Sequence, residues 1–69
     1  MKFEVGKYYR HTTGKEISII CEANTTMYGE TLIAEGCHCT EFIAVGSDES
    51  AAVNWIEITK EEWLKNFGL

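Results

Sequence analysis

Apolar and polar residues alternate with a period of two through most of this chain, and the alternation breaks where glycine, asparagine or serine-acid runs intervene. A period of two places one set of side chains on each face of a strand. Lys7 to Thr13 is rich in aromatic and β-branched residues and predicts a first strand. Thr13-Gly14-Lys15 predicts a turn, with Gly14 supplying a positive φ. From Glu16 to Ala23, Ile17, Ile19, Cys21 and Ala23 alternate with Glu16, Ser18, Ile20 and Glu22, Ile20 being the one apolar residue on the polar face. These two strands are expected to form a hairpin. Asn24 to Gly29 reads as a turn or irregular loop, Thr31 to Glu35 as a third strand, Gly36 to Thr40 as a connection, and Glu41 to Val45 as a fourth strand. A polar loop, Gly46 to Ser50, precedes a fifth strand, Val53 to Ile58. There Val53, Trp55 and Glu57 share one face, so burying Trp55 would leave Glu57 at the rim.

The last residues change character. Thr59-Lys60-Glu61-Glu62 is a capping box, in which Thr59 caps a helix and Glu62 reaches back. Glu61 and Glu62 suit the positive end of a helix. Trp63, Leu64 and Phe67 make one apolar stripe, and Gly68 fits just past the helix end. A helix of about two turns is unstable alone, so the stripe must dock on the sheet. The expected fold is mainly β: a small antiparallel five-stranded meander or open barrel, with one short C-terminal helix packed on it.

The chain has 69 residues, which is one domain. A domain of this size buries only about 60% of its unfolded surface, so added stabilisation from oligomerisation, metal or disulfides is expected, and a flat hairpin edge that invites pairing between copies makes a homo-oligomer the expectation. An apolar share of 45% with 25% charged residues describes a globular chain and argues against disorder. No apolar run is long enough to span a membrane, and Met1 to Gly6 lacks the apolar stretch of a signal peptide. A cytoplasmic protein is therefore expected. The formal net charge of −5 disfavours general binding to nucleic acid or anionic lipid. It is unevenly spread: residues 1–15 carry +3 and residues 16–69 carry −8.

Three cysteines, Cys21, Cys37 and Cys39, do not make a secreted disulfide framework. Cys37-His38-Cys39 brings soft donors together, but Cys-x-Cys with no second pair is not a zinc-finger spacing. On a strand His38 would face away from both thiols, so no metal site and no cofactor are expected. Asp48-Glu49 and Glu61-Glu62 are explained by a solvated loop and a helix start, and no glycine-rich phosphate loop or nucleophile elbow is present. No catalytic residue, and no enzyme activity, is expected. The cluster of greatest interest is Tyr8-Tyr9-Arg10-His11-Thr12-Thr13-Gly14, the basic and aromatic stretch of an acidic chain. Arg10 could grip a phosphate in two-pronged fashion and a tyrosine or histidine could stack on a base. Thr25, Thr26 and Tyr28 add hydroxyl groups in the next loop. Structural roles account for the same residues equally well: Tyr8 or Tyr9 as core, Arg10 lying across it.

Gly6-Lys7-Tyr8-Tyr9-Arg10-His11 through Gly14, Thr25-Thr26-Met27-Tyr28-Gly29 followed by Leu32-Ile33-Ala34-Glu35, then Val45-Gly46 and Ala52-Val53-Asn54-Trp55 before Glu61-Glu62-Trp63, resembles a group of small phage and prophage proteins. In build, though not in motif, the chain is similar to phage immune-evasion sponges that sequester nucleotide signals of host defence. That likeness implies a cyclic dinucleotide or ADP-ribose-type ligand buried between copies. Arg10 and His11 would then meet phosphate. Tyr9, Tyr28 or Trp55 would stack on the base, and Thr12, Thr25, Thr26 or Asn54 would hydrogen-bond the sugar or base edge. The alternative expectation is an acidic protein that blocks a basic site on a host effector as a nucleic-acid mimic, motivated by the −8 carried from residue 16 onward.

Overall fold

The computed structural model describes residues 1–68. Its strands are β1 (Tyr8–His11), β2 (Glu16–Thr25), β3 (Gly29–Gly36), β4 (Phe42–Gly46) and β5 (Trp55–Ile58), and helix α1 spans Lys60–Leu64. A 3₁₀ turn at Glu49–Ala52 precedes β5, and another at Lys65–Phe67 extends α1. The five strands form one antiparallel sheet in the order β4-β3-β2-β1-β5. Four strands meander, and the fifth crosses back to pair with β1. Because β4 and β5 remain edges, the sheet is open; the expected mainly-β fold of five antiparallel strands with one short C-terminal helix is seen, with the fifth strand returning to β1 rather than continuing the meander.

Alternation sets the two faces. Tyr9 is the register partner of Ile17, and Ile19 of Ala34. These residues, with Phe3, Leu32 and Ala52, are the buried core, and Ile43, Val45, Ala51 and Trp55 pack against it. Phe3 meets Tyr9 and Trp55 edge-on, with ring centroids 4.9 and 5.6 Å apart. Fully burying each of Tyr9, Ile17 and Ile19 is worth about 1.5–3 kcal/mol. Trp55 does turn inward, and Glu57 lies at the rim, 3.5 Å from the Lys7 ammonium. On the opposite face Tyr8 stacks on Trp63 of α1 at 5.9 Å, and Phe67 meets Trp63 edge-on at 5.3 Å. The predicted stripe thus docks the helix over the β1 side of the sheet.

Three local differences from the sequence expectation have physical causes. β2 runs on to Thr25, because the hairpin with β3 closes at Thr25–Gly29 around Thr26, Met27 and Tyr28. Thr25 Oγ1 accepts from the Tyr28 amide at 2.9 Å, and Gly29 takes φ +65°, the left-handed residue such a three-residue loop requires. Second, the register slips between Ile19 and Cys21, leaving Ile20 as the extra residue of a bulge. The slip pairs Cys21 with Ile33 and puts it outside, whereas continued alternation would have buried it. Third, α1 is shorter than two turns, and the 3₁₀ turn completes it before Gly68 ends the segment at φ +76°. Its cap forms as expected on one side: Thr59 Oγ1 accepts from the Glu62 amide at 3.2 Å. The Glu62 carboxylate is drawn elsewhere, to Arg10 and the Thr59 hydroxyl.

Candidate functional site

The nine residues singled out from the sequence fall into three places. Tyr9 is in the core with no exposed surface, and its hydroxyl accepts from the Glu4 amide at 2.8 Å. Burial raises the pKa of its phenol above the ordinary value, against the opposing effect of that hydrogen bond. A ring held there is not available for stacking on a base, which corrects the role expected for Tyr9.

Arg10, His11, Thr12, Asn54 and Trp55 gather at the open end of β1. The Thr12 amide donates to Asn54 O at 3.1 Å, which ties the β1–β2 turn to the start of β5. Asn54 sits at φ +72°, a left-handed conformation that asparagine tolerates better than most residues. His11 Nδ1 accepts from the Thr13 amide at 3.3 Å and lies 2.9 Å from Thr13 Oγ1. The imidazole meets Trp55 edge-on at 4.9 Å. Arg10, His11, Thr12, Gly14, Asn54 and Ile56 line a groove of about 220 Å³, below the roughly 300 Å³ at which small-molecule sites begin.

Arg10 is not free at this groove. Its Nε and Nη2 reach Glu16 Oε2 and Glu62 Oε2, each at 2.9 Å. Glu16 is buried, and its other oxygen accepts from Asn66 Nδ2 at 2.6 Å. The two carboxylates raise the guanidinium pKa, Glu16 foremost. Glu62 is lowered from the usual carboxylate value, chiefly by its hydrogen bond from Arg10. A phosphate approaching Arg10 would meet a group already carrying two counter-ions, so the two-pronged grip expected from the sequence is spent inside the fold. Lys7 is likewise raised by Glu4, 2.9 Å away, and by Glu57.

Thr25, Thr26 and Tyr28 lie at the tip of the β2–β3 hairpin. Thr25 lies nine positions along β2 from Glu16, the partner of Arg10, about 30 Å at the rise of an extended strand. One chain therefore does not bring the two halves of the expected site together. The tip has a setting of its own. Tyr28, Glu30, Ser47 and Asp48 help line a concavity of about 500 Å³. It adjoins another of about 290 Å³ that includes Glu22, Asn24 and again Glu30 and Ser47. Met27 and Tyr28 stand beside them, 83% and 70% exposed. Asp48 accepts from Ser50 Oγ at 2.7 Å and from the Ala51 amide at 3.3 Å, capping the 3₁₀ turn, and these bonds lower its pKa.

No lysine or arginine occurs between residues 16 and 59. Among the described residues, the ion pairs engage Glu4, Glu16, Glu57 and Glu62. Among the described residues Glu22, Glu30, Glu35, Glu41, Asp48, Glu49 and Glu61 have no cationic side chain within ion-pairing distance. Sequence reasoning had noted the charge but not the concavity beside the tip, nor Met27, because both depend on where the hairpin ends. Cys37, His38 and Cys39 occupy the β3–β4 connection, and among the described residues no three His, Cys, Asp or Glu side chains are placed to hold a metal ion. No helix is long and apolar enough to cross a membrane. No family model matches the chain, and no curated protein or solved structure is significantly similar to it.

Proposed function

We propose that this chain is a non-catalytic binding protein whose acidic β2–β4 side docks on a basic surface of a partner protein. The observation that carries this reading is the distribution of paired and unpaired charge. Arg10, expected to receive an anion, is held by Glu16 and Glu62, and Lys7 by Glu4 and Glu57, while among the described residues seven carboxylates have no cationic side chain within ion-pairing distance. Complementary charge speeds encounter and selects partners, and exposed aromatic and methionine side chains supply the apolar anchor. Tyr28 beside Glu30 and Asp48, with exposed Met27 preceding it in the chain and Glu22 in the adjoining concavity, has that composition. The resemblance to phage proteins, which rests on sequence pattern alone, would make the partner a host nucleic-acid-binding effector. The test is affinity capture from bacterial lysate at low and high salt, comparing the native chain with a Glu22→Lys, Glu30→Lys, Asp48→Lys variant. A salt-sensitive partner captured by the native chain and lost by the variant is expected. Identical capture by both would sink the proposal.

A second reading, sequestration of a nucleotide-type signal, is favoured by one specific feature: Arg10, His11, Thr12 and Asn54 share a groove. The groove is too small for a dinucleotide, so a second copy would have to complete it. Thermal-shift titration with cyclic dinucleotides and ADP-ribose derivatives distinguishes the two. A saturable shift that His11→Ala abolishes would favour the nucleotide, and no shift at saturating ligand would remove it.

A further inference from the structure

On the outward side of the sheet Cys21 of β2 and Ala44 of β4 are exposed, because α1 packs over the other end, against Tyr8. Cys21, Ile33 and Ala44 are register partners and so form one uncharged row across this side. Phe42, two residues before Ala44 on the same face, is 72% exposed. β4 itself, Phe42-Ile43-Ala44-Val45-Gly46, carries no charge, and among the described residues its backbone hydrogen-bonds to β3 alone. Sheet edges are normally guarded by charge, proline or a cover. The other edge, β5, has Glu57 in its ion pair with Lys7.

We infer that β4 is an interface between two copies of this chain, paired antiparallel about a two-fold axis near its middle. Three observations point to a copy rather than another occupant. First, the strand is self-complementary: with the axis at Ile43, Phe42 falls opposite Ala44, an exposed outward position small enough to receive its ring. Second, each copy carries −5, so two copies approach each other best along a stretch without carboxylates, whereas a basic partner finds nothing to pair with there. Third, one symmetric contact satisfies the free amides and carbonyls of both edges at once. The strand is short against the roughly 800 Å² per partner of a standard interface, so the dimer is concentration-dependent. The inference is independent of the acidic-docking proposal, which concerns other residues.

Sedimentation equilibrium of the full chain over a wide concentration series tests it. The mass is expected to climb from 7.8 kDa towards twice that value. Ala44→Lys and Phe42→Lys, both at exposed outward positions, should keep the native circular dichroism and weaken association by roughly tenfold or more, since each puts an ammonium into the apolar contact between the two strands. Ile56→Lys on β5 should leave association unchanged. A single-chain mass up to millimolar protein overturns the inference, as does a dimer indifferent to both β4 changes or broken by Ile56→Lys. Should both β4 variants unfold, hydrogen exchange of the native chain decides: β4 amides must gain protection with concentration, and their failure to do so overturns it.

Discussion

Glu16 is the residue on which the most depends. It is a buried carboxylate, and such a group costs several kcal/mol unless paired and hydrogen-bonded. Arg10 and Asn66 meet that requirement from β1 and from the segment after α1. Replacing Arg10 should therefore hurt chiefly by orphaning Glu16. In a double-mutant cycle followed by thermal melting, Arg10→Met should lower Tm markedly in the native background and much less in Glu16→Gln; equal losses would show the two side chains to be uncoupled. The acid limb of stability follows from Glu62 and Asp48, both lowered in the fold. A lowered carboxylate stabilises the fold above its unfolded pKa, and that contribution is lost as pH falls through the folded value. Stability should be level through neutral pH and decline below about pH 4, and Glu62→Gln with Asp48→Asn should flatten that decline in urea titrations. Arg10 was legible in the sequence as a cation beside aromatics, but not as a spent one. Its partners lie 6 and 52 residues away, and the second is brought near only by the whole fold.

Among the elements, α1 was the most legible because its signals are local. Thr59 caps as its sequence position implies, and Trp63 is buried on Tyr8. Thr59→Ala should cost about 1 kcal/mol by chemical denaturation, and Trp63→Ala about 3–5 kcal/mol, because the ring fills the space between helix and sheet. If the Trp63 change costs no more than the loss of the cap, the helix is not held by its stripe. The bulge in β2 was legible only as an anomaly, Ile20 on the polar face of an otherwise regular alternation. Composition could not say whether that residue was an exposed apolar side chain or a slipped register. Pairing with β3 decides it, and the decision sends Cys21 outward. Gly46 is a tighter case: a Cβ there would meet Ala51 Cβ at 2.8 Å. Gly46→Ala should destabilise by about 1–3 kcal/mol, an overpacking cost measurable in the same denaturation series.

At the scale of the whole molecule, the sequence showed strands and a helix but not their order in the sheet. Period and turn residues specify neighbours joined by short loops; nothing local specifies that β5 passes β4, β3 and β2 to lie beside β1. The candidate site shared that fate: Tyr8 to Gly14 looked like one surface, yet alternation buried Tyr9 and turned Arg10 towards α1. The place of β1 between β2 and β5 also orders events in time. Synthesis runs from the N-terminus, so β1 to β4 emerge with one side of β1 unpaired, Trp55 absent from beside Phe3, and Glu16 without Asn66. The growing chain thus presents an open strand next to an incompletely shielded carboxylate until the segment from Trp55 to Asn66 arrives. Folding is expected to wait for that segment and then to proceed in one step, with no stable species on nascent chains stalled before residue 55. Limited proteolysis of ribosome-bound chains of graded length would register the moment as an abrupt gain of resistance.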